Sequence, residues 1–346
     1  MASVDVTVRG AGIFGLSVAW ACLLRGARVR VVDPFGVGAG SSGGIVGALA
    51  PHVPENWNPK KAFQLESLLM AEAFWSAVAT AGGGNPGYAR SGRVQPLADD
   101  AAVALARGRA AGASELWQGR AEWVVEKAGP GDGFGVASPS GWIVRDTLSA
   151  RIHPRMACAA LADAIRARGG EIVGEAPDTG AVLWATGWAG LLDLSAAFDK
   201  RIGDGVKGQA VLLQYAAANQ PQLFVDGLHI VPHADGTVAI GSTSEREFDD
   251  PISTDAQCDA LLARAVAAVP ALYAAPALGR WAGVRPRARS RAPVLGHWPG
   301  RDGHYVANGG FKIGFGMAPK VADVMAALIL EGVDDIPDGF ALHMMV

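Results

Sequence analysis

A glycine-rich segment near the start of the chain restricts the possible folds more than any other feature. Residues 6–9 have the pattern of a short apolar strand, Gly10, Gly12 and Gly15 follow, and an apolar helical stretch leads to a second strand that ends at Asp33. This order of strand, glycine turn, helix, strand and acid is typical of the βαβ unit that binds dinucleotides. The sequence therefore predicts a nucleotide site at this turn.

Each residue type in this segment has a physical role in nucleotide binding. Gly10 permits the tight turn, Gly12 lets main-chain N–H groups approach a pyrophosphate, and Gly15 lets the helix lie close to the strand. The positive end of the helix dipole then faces the phosphate charge. Asp33 follows Gly15 by 18 residues. Its carboxylate there can bind the two hydroxyls of an adenosine ribose, whereas an arginine would indicate a 2′-phosphate.

The bulk properties favour a two-domain protein that acts on small molecules. At 346 residues, of which 50% are apolar, the chain exceeds the usual size of one hydrophobic core. Its formal net charge of −3 gives no general reason to expect nucleic acid as a partner. Cys22, Cys158 and Cys258 have no paired spacing, which argues against a metal site or a disulfide framework and fits a reducing cytoplasm. Because no apolar run is long enough to span a bilayer, we expect a soluble, cytoplasmic protein.

Periodicity and turn residues divide the rest of the chain. A Gly/Ser-rich loop over residues 34–47 precedes a predicted long helix over residues 60–81. Residues 85–145 have short strand patterns and one helix near residues 99–112, which is where a second domain is expected to begin.

Nucleotide-domain character then returns, with a helix over residues 154–168, a strand over residues 171–173 and a buried strand and turn over residues 182–187. Residues 206–282 are β-rich and include a predicted hairpin of residues 229–232 and 237–241. A strand over residues 305–308 leads to a glycine-rich turn and to a last helix that is expected to start at Pro319.

Six further motifs follow the fingerprint along nearly the whole chain. They are Ser41-Ser42-Gly43-Gly44 with Leu49-Ala50-Pro51-His52, His153-Pro154, Ala185-Thr186-Gly187, Val206-Lys207-Gly208-Gln209, Ala282-Gly283-Val284-Arg285-Pro286 and Asn308-Gly309-Gly310-Phe311-Lys312-Ile313-Gly314. Together they resemble the D-amino-acid oxidase superfamily of flavoproteins, most closely its bacterial glycine oxidase and sarcosine oxidase branch.

The resemblance implies an α/β fold with two domains, a Rossmann-like FAD-binding domain and an inserted antiparallel-sheet substrate domain. The FAD-binding domain is expected from residues 1–84, 146–205 and 284–346, and the substrate domain from residues 85–145 and 206–283. Two departures from the family are visible. The stretch between the strands at residues 173 and 182 is shorter than usual, and no cysteine lies in the late flavin-facing motifs, so we expect non-covalent FAD.

The resemblance implies oxidation of a small amino acid or secondary amine. Hydride would pass from the substrate α-carbon to the flavin, the imine would be hydrolysed, and O₂ is the expected electron acceptor. Arg285 is expected to bind the substrate carboxylate through a two-pronged hydrogen bond that lysine cannot form, with a structural salt bridge as the alternative. Lys312 is expected to contact the substrate or the flavin, and His229 to hydrogen-bond a polar substrate group. A surface lysine and a hairpin histidine are the respective alternatives.

Further residues are assigned by their place in the motifs. The loop at Ala48 is expected to lie along the flavin ring, and the residues before the last helix to face its pyrimidine edge. His52 is expected near the cavity, whereas His153, Lys207 and the other arginines of residues 280–291 are expected to be structural or surface groups. The expected cofactor contacts are Gly10, Gly12, Ile13, Phe14, Gly15, Asp33, Ser41, Ser42, Gly47, Ala48, Leu49, Gly187, Ile313, Gly314, Phe315 and Gly316.

Rival functions remain open at this level. A flavoenzyme of this type can instead be a dehydrogenase of amino acids or 2-hydroxy acids that uses another electron acceptor. The first 33 residues alone also permit a nicotinamide-dependent dehydrogenase, although that reading leaves the late glycine-rich motif unexplained. The non-enzyme alternative is a flavin-binding subunit with no catalytic activity. A tRNA-modifying oxidase is disfavoured, because no methyltransferase domain accompanies it and the net charge does not suit RNA.

Overall fold

The computed structural model describes residues 4–346, so residues 1–3 of the expected first segment lie outside the described residues. The strands are β1 Val6–Arg9, β2 Val29–Val32, β3 Ala48–Leu49, β4 Arg93–Pro96, β5 Trp123–Lys127, β6 Trp142–Asp146, β7 Ala150–Arg151, β8 Glu171–Val173, β9 Ala181–Trp184, β10 Gly203–Gln214, β11 Gln222–Val225, β12 Leu228–Pro232, β13 Thr237–Gly241, β14 Ala277–Ala288, β15 Val294–His297 and β16 His304–Asn308. The helices are α1 Ile13–Leu24, α2 Pro59–Gly82, α3 Asp100–Trp117, α4 Pro154–Ala167, α5 Gly187–Ala197, α6 Gln257–Ala268 and α7 Gly314–Glu331.

A six-stranded sheet has the glycine-rich segment at its centre. Its strand order is β15-β16-β9-β1-β2-β8, and all neighbours are parallel except the antiparallel edge pair β15–β16. Helices α1, α2, α4 and α7 pack together on this sheet around a large apolar core. The carboxyl ends of parallel strands are where α/β folds bind their ligands, so this sheet presents β1, β9 and β16 to one common site.

An eight-stranded sheet forms the other half of the molecule, in the order β14-β10-β13-β12-β11-β4-β6-β5. The predicted hairpin is confirmed, since β12 and β13 pair antiparallel. The sheet is not wholly antiparallel, because β4 runs parallel to β11. No hairpin joins these two strands, which come from separate stretches of chain, so nothing in the connection forces them to be antiparallel. A second apolar core lies between this sheet and α6.

The six-stranded sheet draws on three stretches of chain and the eight-stranded sheet on two. The expected junctions at residues 205/206 and 283/284 fall inside β10 and β14, which pair along nearly their whole length. The division into an FAD-binding and a substrate domain at those boundaries stays a prediction.

The helices predicted from periodicity are present, with two corrections. Helix α3 continues to Trp117, five residues beyond its predicted end, because Ala113 and Trp117 are buried on its inner face. Helix α7 starts at Gly314 and not at Pro319, which lies inside it. A proline there removes one main-chain hydrogen bond at a cost of about 3 kcal/mol. Burial of Met317, Val321 and Met325 offsets that cost. Among the described residues, no helix has the length and apolarity needed to cross a membrane.

Candidate active site

A cavity of about 970 Å³ lies between the two sheets and is lined by residues of both. The N-terminal ends of α1, α4, α5 and α7 all border it, through Ile13, Pro154, Gly187 and Gly314. Each helix N-terminus carries partial positive charge and unpaired N–H groups. The cavity is therefore suited to a large anionic ligand before any charged side chain is considered.

Close main-chain contacts explain why glycine is required at two of the fingerprint positions. Gly10 has φ +108°, and a Cβ built on it would lie 2.4 Å from the carbonyl oxygen of Ala185. A Cβ on Gly15 would lie 1.9 Å from the carbonyl oxygen of Gly10. Any larger residue at these positions would separate α1 from β1 or β9. Gly15 thus packs beneath the turn and does not itself line the cavity.

The ADP end of the cavity offers donors and acceptors that fit a dinucleotide. The main-chain N–H groups of Gly12 and Phe14, both in the cavity wall, have no acceptor within residues 4–346. Asp33 accepts hydrogen bonds from the N–H groups of Ala11 at 2.8 Å and Phe35 at 2.9 Å. Each carboxylate oxygen keeps a lone pair for a ribose hydroxyl. The free N–H groups and the fixed carboxylate suit the pyrophosphate and ribose of FAD.

The predicted flavin-side loop is fixed from behind. A Cβ on Gly47 would lie 1.7 Å from the carbonyl oxygen of Ile152, and Ala48 pairs with Arg151 in the two-stranded sheet. His233, which is 1% exposed, holds the Ile45 carbonyl oxygen through Nε2 at 2.9 Å. The loop therefore presents residues 44–48 to the cavity, while Leu49 is buried in the core and lies off the cavity.

The remaining expected cofactor residues are placed as follows. Ser41, Ser42, Gly187, Gly314, Phe315 and Gly316 line the cavity, and Ile313 does not. Because α7 starts at Gly314, the N–H groups of its first turn lie at the cavity wall, as expected for the segment that faces the flavin.

Arg285 reaches the cavity from β14 with its guanidinium tightly held. Its Nη2 donates to the carbonyl oxygens of Thr243 at 2.6 Å and Lys207 at 3.1 Å, and its Nη1 donates to the hydroxyl oxygen of Ser242 at 2.7 Å. Nε is buried with no partner among the described residues. Burial lowers the pKa of Arg285 to about 10, against an opposing effect of Glu245, so the side chain is still cationic at neutral pH.

Lys312 and His229 join Arg285 at the same end of the cavity. Lys312 is exposed to the cavity, yet the surrounding protein and the charge of Arg285 lower its pKa to about 8. Burial, with smaller effects of Arg93 and Lys312, lowers the pKa of His229 to about 3. His229 is therefore neutral, and its buried Nδ1 has no partner within the described residues.

Other predicted positions lie away from this cluster. His52 does not line the cavity, which corrects the expectation for it, because its main-chain N–H and its Nδ1 are both bound to Gln64 of α2. His153 caps the N-terminus of α4, as a structural residue would. Lys207 is buried on β10 with Nζ 3.4 Å from the Ser253 hydroxyl.

Five further cavity residues were not identified from the sequence. They are Trp188, Phe224, Ser242, Trp281 and Phe311. One glycine did hold a signal for the position of the Arg285 guanidinium. A Cβ on Gly208 would lie 2.2 Å from Nη2 of Arg285. The glycine of the Val-Lys-Gly-Gln motif is therefore what admits the guanidinium.

Among the described residues, no cysteine lines the cavity and no cluster of His, Cys, Asp or Glu has a metal-binding arrangement. All three cysteines are free and buried. Burial raises the pKa of Cys22 and of Cys158 to about 12. None of the three cysteines is therefore placed to bond a ligand in the cavity, and non-covalent binding of FAD stays a prediction.

Two sheets, a fingerprint turn and a shared cavity define a dinucleotide-binding fold. The family model DAO, FAD dependent oxidoreductase, matches residues 5–328. The chain belongs to this family, and FAD is its cofactor.

Individual relatives extend the family assignment. The glycine oxidase of Geobacillus kaustophilus is 25% identical over 371 residues, which cover 94% of this chain and 92% of that protein. The glycine oxidase of Pseudomonas aeruginosa is 34% identical over 134 residues, but the match spans only 36% of its length and 38% of this chain. The crystal structure of iminodiacetate oxidase from Chelativorans superposes with a TM-score of 0.83 at 19% identity, covering 96% of this chain and 97% of that one. That likeness shows a shared fold.

Proposed function

We propose that this protein uses FAD to oxidise a small amine that carries a carboxylate. The observation that supports this most directly is the position of Arg285, a buried cation in the same cavity as the dinucleotide fingerprint. The relatives' names, glycine oxidase and iminodiacetate oxidase, are consistent with a substrate of this class.

Arg285 and Ser242 together offer the carboxylate two donors. Both N–H groups of Nη2 are engaged by main-chain carbonyls, so the two-pronged contact expected from the sequence cannot use the guanidinium alone. Nη1 keeps one free N–H, and the Ser242 hydroxyl, which accepts from Nη1, has its own hydrogen free to donate. These two donors lie side by side at the cavity wall and match the two oxygens of a carboxylate.

The charges around the substrate favour the reactive, unprotonated form of the amine. When bound, FAD supplies the acceptor for the two electrons of the substrate C–H bond. An amine must be unprotonated to give up those electrons, and Arg285 and Lys312 repel an ammonium ion. Neutral His229 lines the cavity and can hydrogen-bond the amine without adding charge. The product imine is then hydrolysed, and O₂ is proposed as the final electron acceptor.

The test is an anaerobic screen of amines against the purified, yellow holoprotein. We expect carboxylated amines to bleach the flavin absorbance, and air to restore it with formation of hydrogen peroxide. Reoxidation only by an added dye would replace O₂ with another acceptor and point to a dehydrogenase. If no carboxylated amine bleaches the flavin, the proposed activity is wrong.

A further inference from the structure

Three cations lie around the Phe311 ring, and two of them, Arg285 and Lys312, line the cavity, whereas Arg287 does not. The guanidinium carbons of Arg285 and Arg287 lie 5.4 Å and 5.6 Å from the centre of the Phe311 ring, and Nζ of Lys312 lies 5.9 Å from it. Arg285 and Arg287 are two residues apart on β14, so both project from the same face of the sheet. Lys312 directly follows Phe311 in the turn before α7.

The negative charge near this cluster does not balance it. Glu245 raises the pKa of Arg285 by its charge, but it lies off the cavity, where Gln209 and Thr243 hold its carboxylate. No ion pair of Lys312 or Arg287 is present within residues 4–346. Arg285 and Lys312 are the two cations that line this end of the cavity, and the only carboxylate among the described lining residues, Asp33, lies at the ADP end, so the formal charges here sum to about +2 at neutral pH.

The surroundings of Arg287 and Lys312 add no further carboxylate. The charged groups that act on Arg287 are Arg201, Arg246 and Arg291, and all of them lower its pKa. Burial and, to a smaller extent, the positive charge of Arg285 lower the pKa of Lys312 to about 8. No carboxylate opposes this shift and Lys312 forms no ion pair within the described residues, so the cation has no counter-ion there.

A substrate with one carboxylate and a neutral amine would leave one of these positive charges unmatched. We propose that the substrate carries a second carboxylate, and that Lys312 is the specificity-determining residue that binds it while Arg285 and Ser242 bind the first. This inference rests on the proposed function, and it narrows the substrate class to amino- or iminodicarboxylates. Two anionic groups match the two cavity cations, whose charged groups lie 5.4 Å (Arg285) and 5.9 Å (Lys312) from the centre of the Phe311 ring.

The inference is testable by binding alone, without turnover. Malonate, succinate and glutarate carry two carboxylates and no amine, and acetate, propionate and butyrate are the same chains with one carboxylate removed. Each is titrated into the holoprotein, and the perturbation of flavin absorbance gives its Kd. We expect at least one dicarboxylate to bind about tenfold or more tightly than its monocarboxylate partner, as for a hydrogen bond between charged groups.

Variants assign the preference to one side chain. The Lys312→Met variant is expected to lose the dicarboxylate preference, so that each dicarboxylate and its monocarboxylate partner bind with affinities within about twofold of each other. The matched control is Lys320→Met, because Lys320 lies on α7 in an ion pair with Glu66 and does not line the cavity. Raising the pH through about 8 should weaken dicarboxylate binding in the parent protein and in the control, since Lys312 then loses its proton, and should leave Lys312→Met unaffected.

The outcomes separate this inference from the function on which it rests. Equal affinities within every acid pair, or a preference that survives in Lys312→Met, would overturn the assignment of Lys312. Turnover gives an independent reading, with iminodiacetate compared against N-methylglycine and D-aspartate against D-asparagine. If N-methylglycine and D-asparagine bleach the flavin as well as iminodiacetate and D-aspartate do, the proposed amine oxidation stands and the proposed preference for a second carboxylate is contradicted. If the holoprotein binds dicarboxylates but no amine bleaches its flavin, the proposed oxidation is contradicted instead.

Discussion

The hydroxyl oxygen of Ser42 accepts a 2.9 Å hydrogen bond from the main-chain N–H of Ile13, the first residue of α1. The two residues are 29 positions apart, and α1 has no side-chain cap from its own N-cap residue, Gly12. The loop after β2 thus supplies the cap that a serine or aspartate usually provides locally. It also fixes the position of the loop against the helix end that meets the cofactor.

Removal of this hydroxyl should weaken both stability and cofactor binding. For Ser42→Ala we expect the free energy of unfolding to fall by about 1 kcal/mol, the usual cost of a lost cap, and the Kd of FAD to rise. Urea unfolding of the apoprotein and titration with FAD measure the two effects. Ser41→Ala is the control, because Ser41 lines the same cavity without capping a helix. Equal unfolding energies for parent and Ser42→Ala would contradict the capping role.

Gly15 and Gly108 give opposite predictions for the same substitution. In Gly15→Ala the new methyl group would lie 1.9 Å from the Gly10 carbonyl oxygen, so α1 must move away from the fingerprint turn. We expect a loss of about 1–3 kcal/mol in unfolding free energy and weaker FAD binding. Gly108 lies inside α3 with nothing within 4 Å of its Cβ direction. Gly108→Ala should therefore stabilise the protein by about 0.5–1 kcal/mol and leave FAD binding unchanged. Thermal and urea unfolding of the two variants measure these opposite changes in unfolding free energy.

Replacement of Arg285 by lysine should show that positive charge alone is insufficient. A lysine ammonium cannot reach Ser242, Thr243 and the substrate at once, so kcat/KM for carboxylated amines should fall by at least about tenfold, mainly through KM. The control is Arg280→Lys, on the same strand but exposed and paired with Asp259. An unchanged KM in Arg285→Lys would show that the carboxylate is bound elsewhere.

Two buried histidines should make the fold sensitive to mild acid. Burial lowers the pKa of His229 to about 3 and that of His233 to about 4, whereas an unfolded histidine titrates near 6.5. The unfolded chain therefore binds protons that the folded chain excludes as the pH falls from about 6.5 towards 4. Stability is lost over that range by up to about 1.4 kcal/mol per pH unit for each histidine.

Urea unfolding across this pH range measures the slope. His233→Gln should reduce it, and His343→Gln, at an exposed position, should not. A slope that is the same in the parent and in His233→Gln would mean that His233 takes no part in the acid sensitivity.

Local signals in the sequence were sufficient for the ADP end of the site. Spacing alone predicts that Gly10, Gly12 and Asp33 lie together, and all three line the cavity, because the turn, the helix and the following strand are formed within one short segment. The same holds for α2 and for the β12–β13 hairpin, whose periodicity and turn residues are local. The family motifs also indicated Arg285, Lys312 and His229, and all three residues line the same cavity in the structure.

What the sequence could not provide depends on contacts between distant segments. The partners of Arg285 come from β10 and from the turn after β13, and nothing near Arg285 in the chain indicates them. His52 was misplaced because Gln64 on the next helix binds it. The start of α7 was misjudged because burial against α1 and α2 outweighs the local preference of Pro319. In each case tertiary packing decides what local preference leaves open.

The four helix ends that border the cavity come from four distant parts of the chain, beginning at Ile13, Pro154, Gly187 and Gly314. No single segment can hold the ligand by itself, and the last of these ends is made only after every strand of both sheets. Retention of FAD by the protein is thus expected to depend on all four of these segments. During synthesis, FAD should be retained only once α7 has packed, and a cut in any one of the four regions should release it.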